Sequence, residues 1–207
     1  MNLQNIILPS LFCPFAVFLL HASRENSNMK IKGAGSVVDT CYILKAMVEM
    51  IKKVSAGFRG HNMEIVNKVK RENLKLEQEI IIIAVDQQAV NLEAARQSMD
   101  KLVEAVEYKI VNGILFSEKA VQELTLLFEA LSVYLVNIKD WLITENNVLQ
   151  RHVKIESAEC TARCRDFATM HEERLIKGIC MVHSSGVYLK MLDGMRGLFY
   201  NTGRLVA

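Results

Sequence analysis

From Gly35 onward the apolar residues of this chain recur at steps of three and four, the period of a helix that buries one face. The stretch Ser117 to Leu142 carries the pattern most fully. Val121, Leu124, Phe128, Leu131, Leu135, Ile138 and Leu142 form one stripe, and the charges Glu123, Glu129, Lys139 and Asp140 are read as lying off it. Ser117 suits the N-cap, where its hydroxyl oxygen can accept from the first turn, and Glu118 places a negative charge where the helix dipole favours it. At ~1.5 Å per residue such a helix spans about 39 Å, a length that suits a bundle.

Similar stripes run through Leu44, Met47, Ile51, Val54 and Phe58, and through Val66, Val69, Leu76, Ile80 and Ile83. Another joins Leu92, Ala95, Met99, Leu102, Val106 and Ile110. A weaker one, on a more polar segment, joins Val148, Ile155, Ala162, Phe167 and Met170. The last runs through Tyr188, Met191, Leu192, Met195, Leu198 and Leu205. Breaks are expected at Gly57–Gly60, near Asp86, at Gly113–Ser117, at Thr144–Asn147 and around Gly178–Ser185. Connections this short make consecutive helices antiparallel neighbours. The β-branched run Ile80 to Ile83 follows a charged helical stretch, Lys68 to Glu79, and is read as a buried helix end rather than a strand. The expectation is an all-α antiparallel bundle of about six long helices.

Composition supports this. Of 207 residues 51% are hydrophobic, enough for a sizeable interior, and the two prolines, Pro9 and Pro14, leave every later helix uninterrupted. The formal net charge of +2 and the interleaving of acids with bases argue against a nucleic-acid partner. Cys13, Cys41, Cys160, Cys164 and Cys180 form no CxxC, and one is left over from any complete pairing. They are read as reduced side chains in a cytosolic bundle, with Cys160 and Cys164 buried or half-buried. Met47, Met50, Met191 and Met195 sit on helical stripes and are read as core.

The first 32 residues stand apart from the helical domain expected over 33–207. Ile6 to Ala22 is an uncharged apolar run at the short limit for crossing a bilayer, with no basic residue before it. A weak signal peptide, the tail of a membrane segment that anchors the domain, and an extension outside the fold all fit. Ser23 to Asn28 reads as a polar linker, and Gly33-Ala34-Gly35-Ser36 as linker ending in an N-cap.

Catalytic patterns are missing. His171-Glu172-Glu173-Arg174 lacks the second His of a zincin helix, and no GxSxG, phosphate-binding Gly-rich loop or dinucleotide fingerprint occurs. The Glu-x-x-His pairs of ferritin-like di-iron bundles are also absent. The chain is expected not to be an enzyme.

Arg165, His171, Arg174-Leu175, Gly178 and Cys180 are followed by Ser185-Gly186-Val187-Tyr188-Leu189. This stretch resembles the PhoU-like domain at the C-terminus of bacterial sodium/phosphate cotransporters, in which a long helix ends in a His–Arg–Leu cluster. There the final helix opens with a Ser, a Tyr-Leu pair and an apolar ladder. Glu156 and the helix opening Phe116-Ser117-Glu118 are similar too. The resemblance implies two three-helix repeats, about 33–114 and 115–207. An echo at an offset of 92 fits: Glu104 with Arg196, Tyr108 with Tyr200, Glu64 with Glu156.

Each family repeat carries on its third helix an acid followed four residues on by Asp, a face suited to a divalent metal or iron. Here the second copy falls on Arg196 and Tyr200, and both acids are lost. In the first copy Glu104 remains opposite Tyr108, while Asp100, Glu104 and Glu107 make a candidate metal site one turn earlier. The plainer reading of these three is a solvated acidic face beside Lys101 and Lys109.

The resemblance implies a regulatory domain at the cytoplasmic face of the inner membrane, modulating phosphate uptake by docking on a membrane transporter or its membrane domain, with room for a homodimer. The alternative is a stand-alone PhoU-type regulator or a helical adaptor that binds another protein.

Overall fold

The computed structural model describes the backbone of residues 14–83 and 87–206 and the side chains of residues 37–81 and 88–206. Among these the chain is all-helical. Its helices are α1 (Pro14–Gly60), α2 (Met63–Ile83), α3 (Gln87–Val111), α4 (Glu118–Thr144), α5 (Asn147–Ile176) and α6 (Val182–Gly203), followed by a 3-10 turn, Arg204–Val206. No strand occurs among the described residues, and Ile80 to Ile83 closes α2 as a helix end.

Local chemistry explains the boundaries. After α1 His61 turns left-handed, at φ 51°, and the Asn62 side chain accepts from Ile65 N at 3.1 Å. Gly113 and Gly178 take φ of 60° and 70°, which stop α3 and α5 without the cost a Cβ would add. Ser117 caps α4 by accepting from Ala120 N at 3.3 Å. Glu145 ends α4 at φ 51°, and Asn146 then caps α5 by accepting from Val148 N and Leu149 N.

The chain divides into two compact units, Met1–Val38 and Asp39–Ala207. In the second, paired residues run in opposite directions along neighbouring helices. Lys53 meets Glu72 across α1 and α2, and Asn73 meets Asp100 across α2 and α3. Glu123 meets Arg174 across α4 and α5, and Ser157 reaches Phe199 O across α5 and α6. The bundle is therefore antiparallel, as the short connections require. Its interior holds Leu44, Met47, Ile51, Val69, Leu92 and Met99 from the first three helices, all fully buried. From α4 and α6 come Leu124, Leu131, Leu135, Tyr188, Met191 and Met195, equally buried.

Helices α3 and α6 pair extensively. The pairing is close because α6 presents glycine at the crossing: a Cβ on Gly194 would lie 2.9 Å from Leu102 N and Cβ, and one on Gly197 would strike Ser98 Oγ. Leu102 and Gly194 stand 92 positions apart, the same offset as in the sequence echo, and so do Lys101 and Asp193, whose charges are 3.9 Å apart.

Three readings of the sequence change. The α5 stripe faces outward, with Val148 66%, Ile155 58% and Met170 38% exposed, and Ala162 is exposed as well. The buried face of α5 is Val153, Cys160, Thr161, Cys164 and His171, too polar in composition to register as an apolar stripe. Glu123, read as lying off the α4 stripe, is buried at 3% exposure. Finally, α1 runs through Ser23–Asn28 and Gly33–Ser36, where linker was expected. The apolar leader Ile6–Ala22 falls partly, and Cys13 wholly, outside the described residues.

Among the described residues α4 alone is long and apolar enough to cross a membrane. Leu124, Leu127, Leu131, Tyr134, Leu135 and Ile138 give it that character, and they are fully buried as the core of the bundle.

Candidate functional site

The candidate acidic positions on α3 are held apart by separate partners. Asp100 accepts from Asn73 Nδ2 at 2.6 Å and from Arg96 Nη1 at 2.7 Å. Arg96 is buried and also donates to both oxygens of Glu93 at 2.8 Å, which holds that carboxyl below its usual range. Glu107 accepts from Lys70 Nζ at 2.8 Å, tying α3 to α2. Glu104 is exposed in a groove of about 920 Å³ between α3 and α6, beside Lys101, Tyr108, Lys190 and Asp193. At the second copy of the motif Arg196 pairs with Asp193, and Tyr200 lies under the Arg204 guanidinium. Among the described residues no three His, Cys, Asp or Glu side chains are gathered where they could hold a metal ion. The donor set does not fit a multivalent cation: two of the three carboxylates are already neutralised by a Lys or Arg.

The densest buried chemistry lies instead where α4, α5 and α6 meet. Arg174 donates in a fork to Glu123, Nη1 to Oε1 at 3.0 Å and Nη2 to Oε2 at 2.8 Å. Tyr188 donates its hydroxyl to Glu123 Oε2 at 2.5 Å. Three donors thus satisfy one buried carboxylate, the condition under which a buried ion pair is tolerable. Burial, and the charge of Glu123 it would have to face, push the Tyr188 phenol far above its usual range, so it remains a donor. His171, 2% exposed, stacks on the Tyr188 ring with centroids 4.4 Å apart. Burial first, and Arg174 second, push its imidazole pKa down, so the ring is neutral at neutral pH. Among the described residues neither ring nitrogen has a hydrogen-bond partner.

Beside this cluster lies a cavity of about 200 Å³, lined by Phe116, Ser117, His171, Cys180, Ser184 and Tyr188 among others. Phe116 meets Tyr188 edge-on at 6.0 Å and Phe58 at 5.9 Å. Over the rings of Phe58 and Phe116, at 5.0 and 5.6 Å, sits the ammonium of Lys109, a residue only 2% exposed. Its Nζ is 2.6 Å from His61 Nε2, and burial lowers its pKa. Among the described residues it has no carboxylate at ion-pair distance; the two aromatic faces take that place.

Of the residues singled out by sequence, His171, Arg174, Tyr188, Ser117 and Cys180 come together here, whereas Asp100, Glu104 and Glu107 do not form a set. Glu123 and Lys109 were missed as buried groups. For Glu123 a signal existed. The face of α4 is wider than its single stripe, and Ala120, Glu123, Leu124 and Leu127 follow the three-four spacing of that wider face.

Comparison with protein-family models, with curated proteins and with solved structures finds no match for this chain.

Proposed function

We propose that this chain is a non-enzymatic regulatory domain of the PhoU-like kind, acting at the cytoplasmic face of a sodium/phosphate cotransporter and modulating phosphate uptake. The crossing of α3 and α6 carries the reading. Two helices related by a two-fold axis perpendicular to them must meet at equivalent positions, as at any isologous contact. Leu102 opposite Gly194 and Lys101 opposite Asp193 meet that condition for two three-helix halves offset by 92. A supporting observation is the apolar end of the bundle, where Leu115, Ile176, Ile179, Met181 and Val182 are each at least 66% exposed. Exposed aliphatic groups of this number mark a contact surface.

The test is phosphate uptake by membrane vesicles or cells carrying the transporter, with and without residues 39–207. A change in uptake that Ile179→Asp with Val182→Asp cancels, in a protein of unchanged helix content, supports the reading; equal uptake in all three rejects it.

One observation favours a second reading, an adaptor that binds another helix. The outward face of α5 carries Val148, Ile155 and Met170 at near-heptad spacing. Sedimentation equilibrium of the wild type and of Ile155→Asp, alone and with an added amphipathic helical peptide, tests whether that row holds a partner or a second copy.

A further inference from the structure

We infer that the cavity between the N-termini of α4 and α6 is a binding site for a small monocarboxylate, its head on His171 and Ser117 and its aliphatic tail against Leu115, Ile179 and Met181. The inference goes beyond the regulatory reading and does not depend on it.

The hydrogen-bonding inventory of the cavity wall points to an acceptor ligand. Ser117, exposed at the edge of the cavity, accepts at Oγ from Ala120 N and keeps an O–H that a ligand there can accept from. Ser184 spends its hydroxyl on Met181 O at 3.0 Å, and Tyr188 spends its own on Glu123. His171 lines the same cavity, nearly fully buried, with both ring nitrogens unpartnered among the described residues. A buried imidazole normally finds a partner for at least one nitrogen, so an unfilled place for one is a specific signal. Cys180 adds a weak S–H donor. The wall therefore offers donors and the His171 ring, and little to accept from a cation or an amide.

The surrounding charge agrees. Arg174 and Glu172 on α5, Glu123 on α4, and Tyr188 on α6 are the groups that face His171. Glu123 and Arg174 cancel one another in their fork, and Tyr188 stays protonated. Lys109 lies on the far ring, Phe116, as a cation without a carboxylate. Helix α4 opens at Glu118, and α6 opens at Met181 with no side-chain cap, so partial positive charge from two helix ends is also nearby. Glu172 and Glu118, both exposed, carry uncancelled negative charge at the rim, so an incoming monoanion is balanced by the proton it brings onto His171, an imidazolium facing the carboxylate. The cavity is smaller than those that hold drug-sized ligands, and its apolar wall selects an alkyl tail.

The experiment follows the His171 ring signals of the full chain by NMR during titration with acetate, propionate, butyrate, inorganic phosphate and chloride, near pH 6 and near pH 7.5. The expected result is a saturable shift with the carboxylates, tightening about three- to fourfold for each added methylene. Binding weakens, by up to about tenfold per pH unit, as pH rises above the point where the free imidazole titrates, and levels off above the point where the bound imidazolium does. His171→Gln, with helix content retained, should abolish carboxylate binding measured by calorimetry. No saturable shift, a shift shared by chloride, a response to phosphate alone, or undiminished binding by His171→Gln would each overturn the assignment. Should His171→Gln not fold, the wild-type titration decides alone.

Discussion

Gly194 of α6 rests on the backbone of Leu102 in α3, 92 positions earlier in the chain. A Cβ at residue 194 would sit 2.9 Å from Leu102 N as well as from its Cβ. The obstacle is thus partly main chain, which cannot swing aside. Gly194→Ala should destabilise the bundle by about 2 kcal/mol or more through overpacking, against the few tenths that alanine usually gains in a helix. Truncating the neighbour in Gly194→Ala/Leu102→Ala should not restore stability, because the clash with Leu102 N remains. Urea unfolding of the three variants checks this.

Glu123 and Arg174 form a buried, forked pair that Tyr188 completes. Glu123→Ala leaves a buried guanidinium without its anion and should cost about 3–5 kcal/mol. Replacing both partners together by Glu123→Leu with Arg174→Met should cost much less than the sum of the single changes, a coupling that a double-mutant cycle measures. Tyr188→Phe should cost about 1–3 kcal/mol, since it removes a bond to a charged acceptor.

His171 has its pKa depressed in the fold, chiefly by burial. Below about pH 6.5, the ordinary imidazole value, the unfolded chain takes up a proton that the folded chain refuses. Stability therefore falls as pH drops through that value, until the folded-state pKa is reached and the loss levels off. His171→Gln should flatten this part of the stability profile in the absence of added carboxylate. Thermal unfolding across pH 5 to 8 gives the comparison.

Lys109 is buried against Phe58, Phe116 and His61, and burial is what lowers its pKa. Carrying a charge there costs more than the rings return, so Lys109→Met should raise stability at neutral pH by about 1 kcal/mol. A drop in stability instead would mean that the cation is held by more than the two rings and the imidazole.

Glu145 closes α4 in the left-handed region, at φ 51°, with its N–H donating to Trp141 O at 2.7 Å. Only glycine adopts this conformation freely, so Glu145→Gly should stabilise the protein by about 0.5–1 kcal/mol. The same reasoning with opposite sign predicts that Gly178→Ala, at φ 70°, destabilises it by a similar amount. Denaturant midpoints resolve both.

The sequence by itself determined the number of helices among the described residues, the breaks between them and most of their inward faces, though not where α1 begins. Ser117, Gly113 and Gly178 act within one turn of the chain, and the stripes of α3, α4 and α6 repeat the helical period in aliphatic residues, so short-range rules suffice to read them. It did not reveal which face of α5 goes inward, because Cys160, Thr161, Cys164 and His171 carry too little hydropathy to outweigh Val148 and Ile155. Nor did it reveal the burial of Glu123 and Lys109. Whether a charge can lie inside depends on partners 51 positions away at Arg174, or on the rings of Phe58 and Phe116 brought from other helices. Only the tertiary structure decides such cases, since desolvation is offset by groups that meet in space and not along the chain. For the same reason Asp100 and Glu107, neighbours in the helical period, were drawn to Arg96, Asn73 and Lys70 rather than to one another.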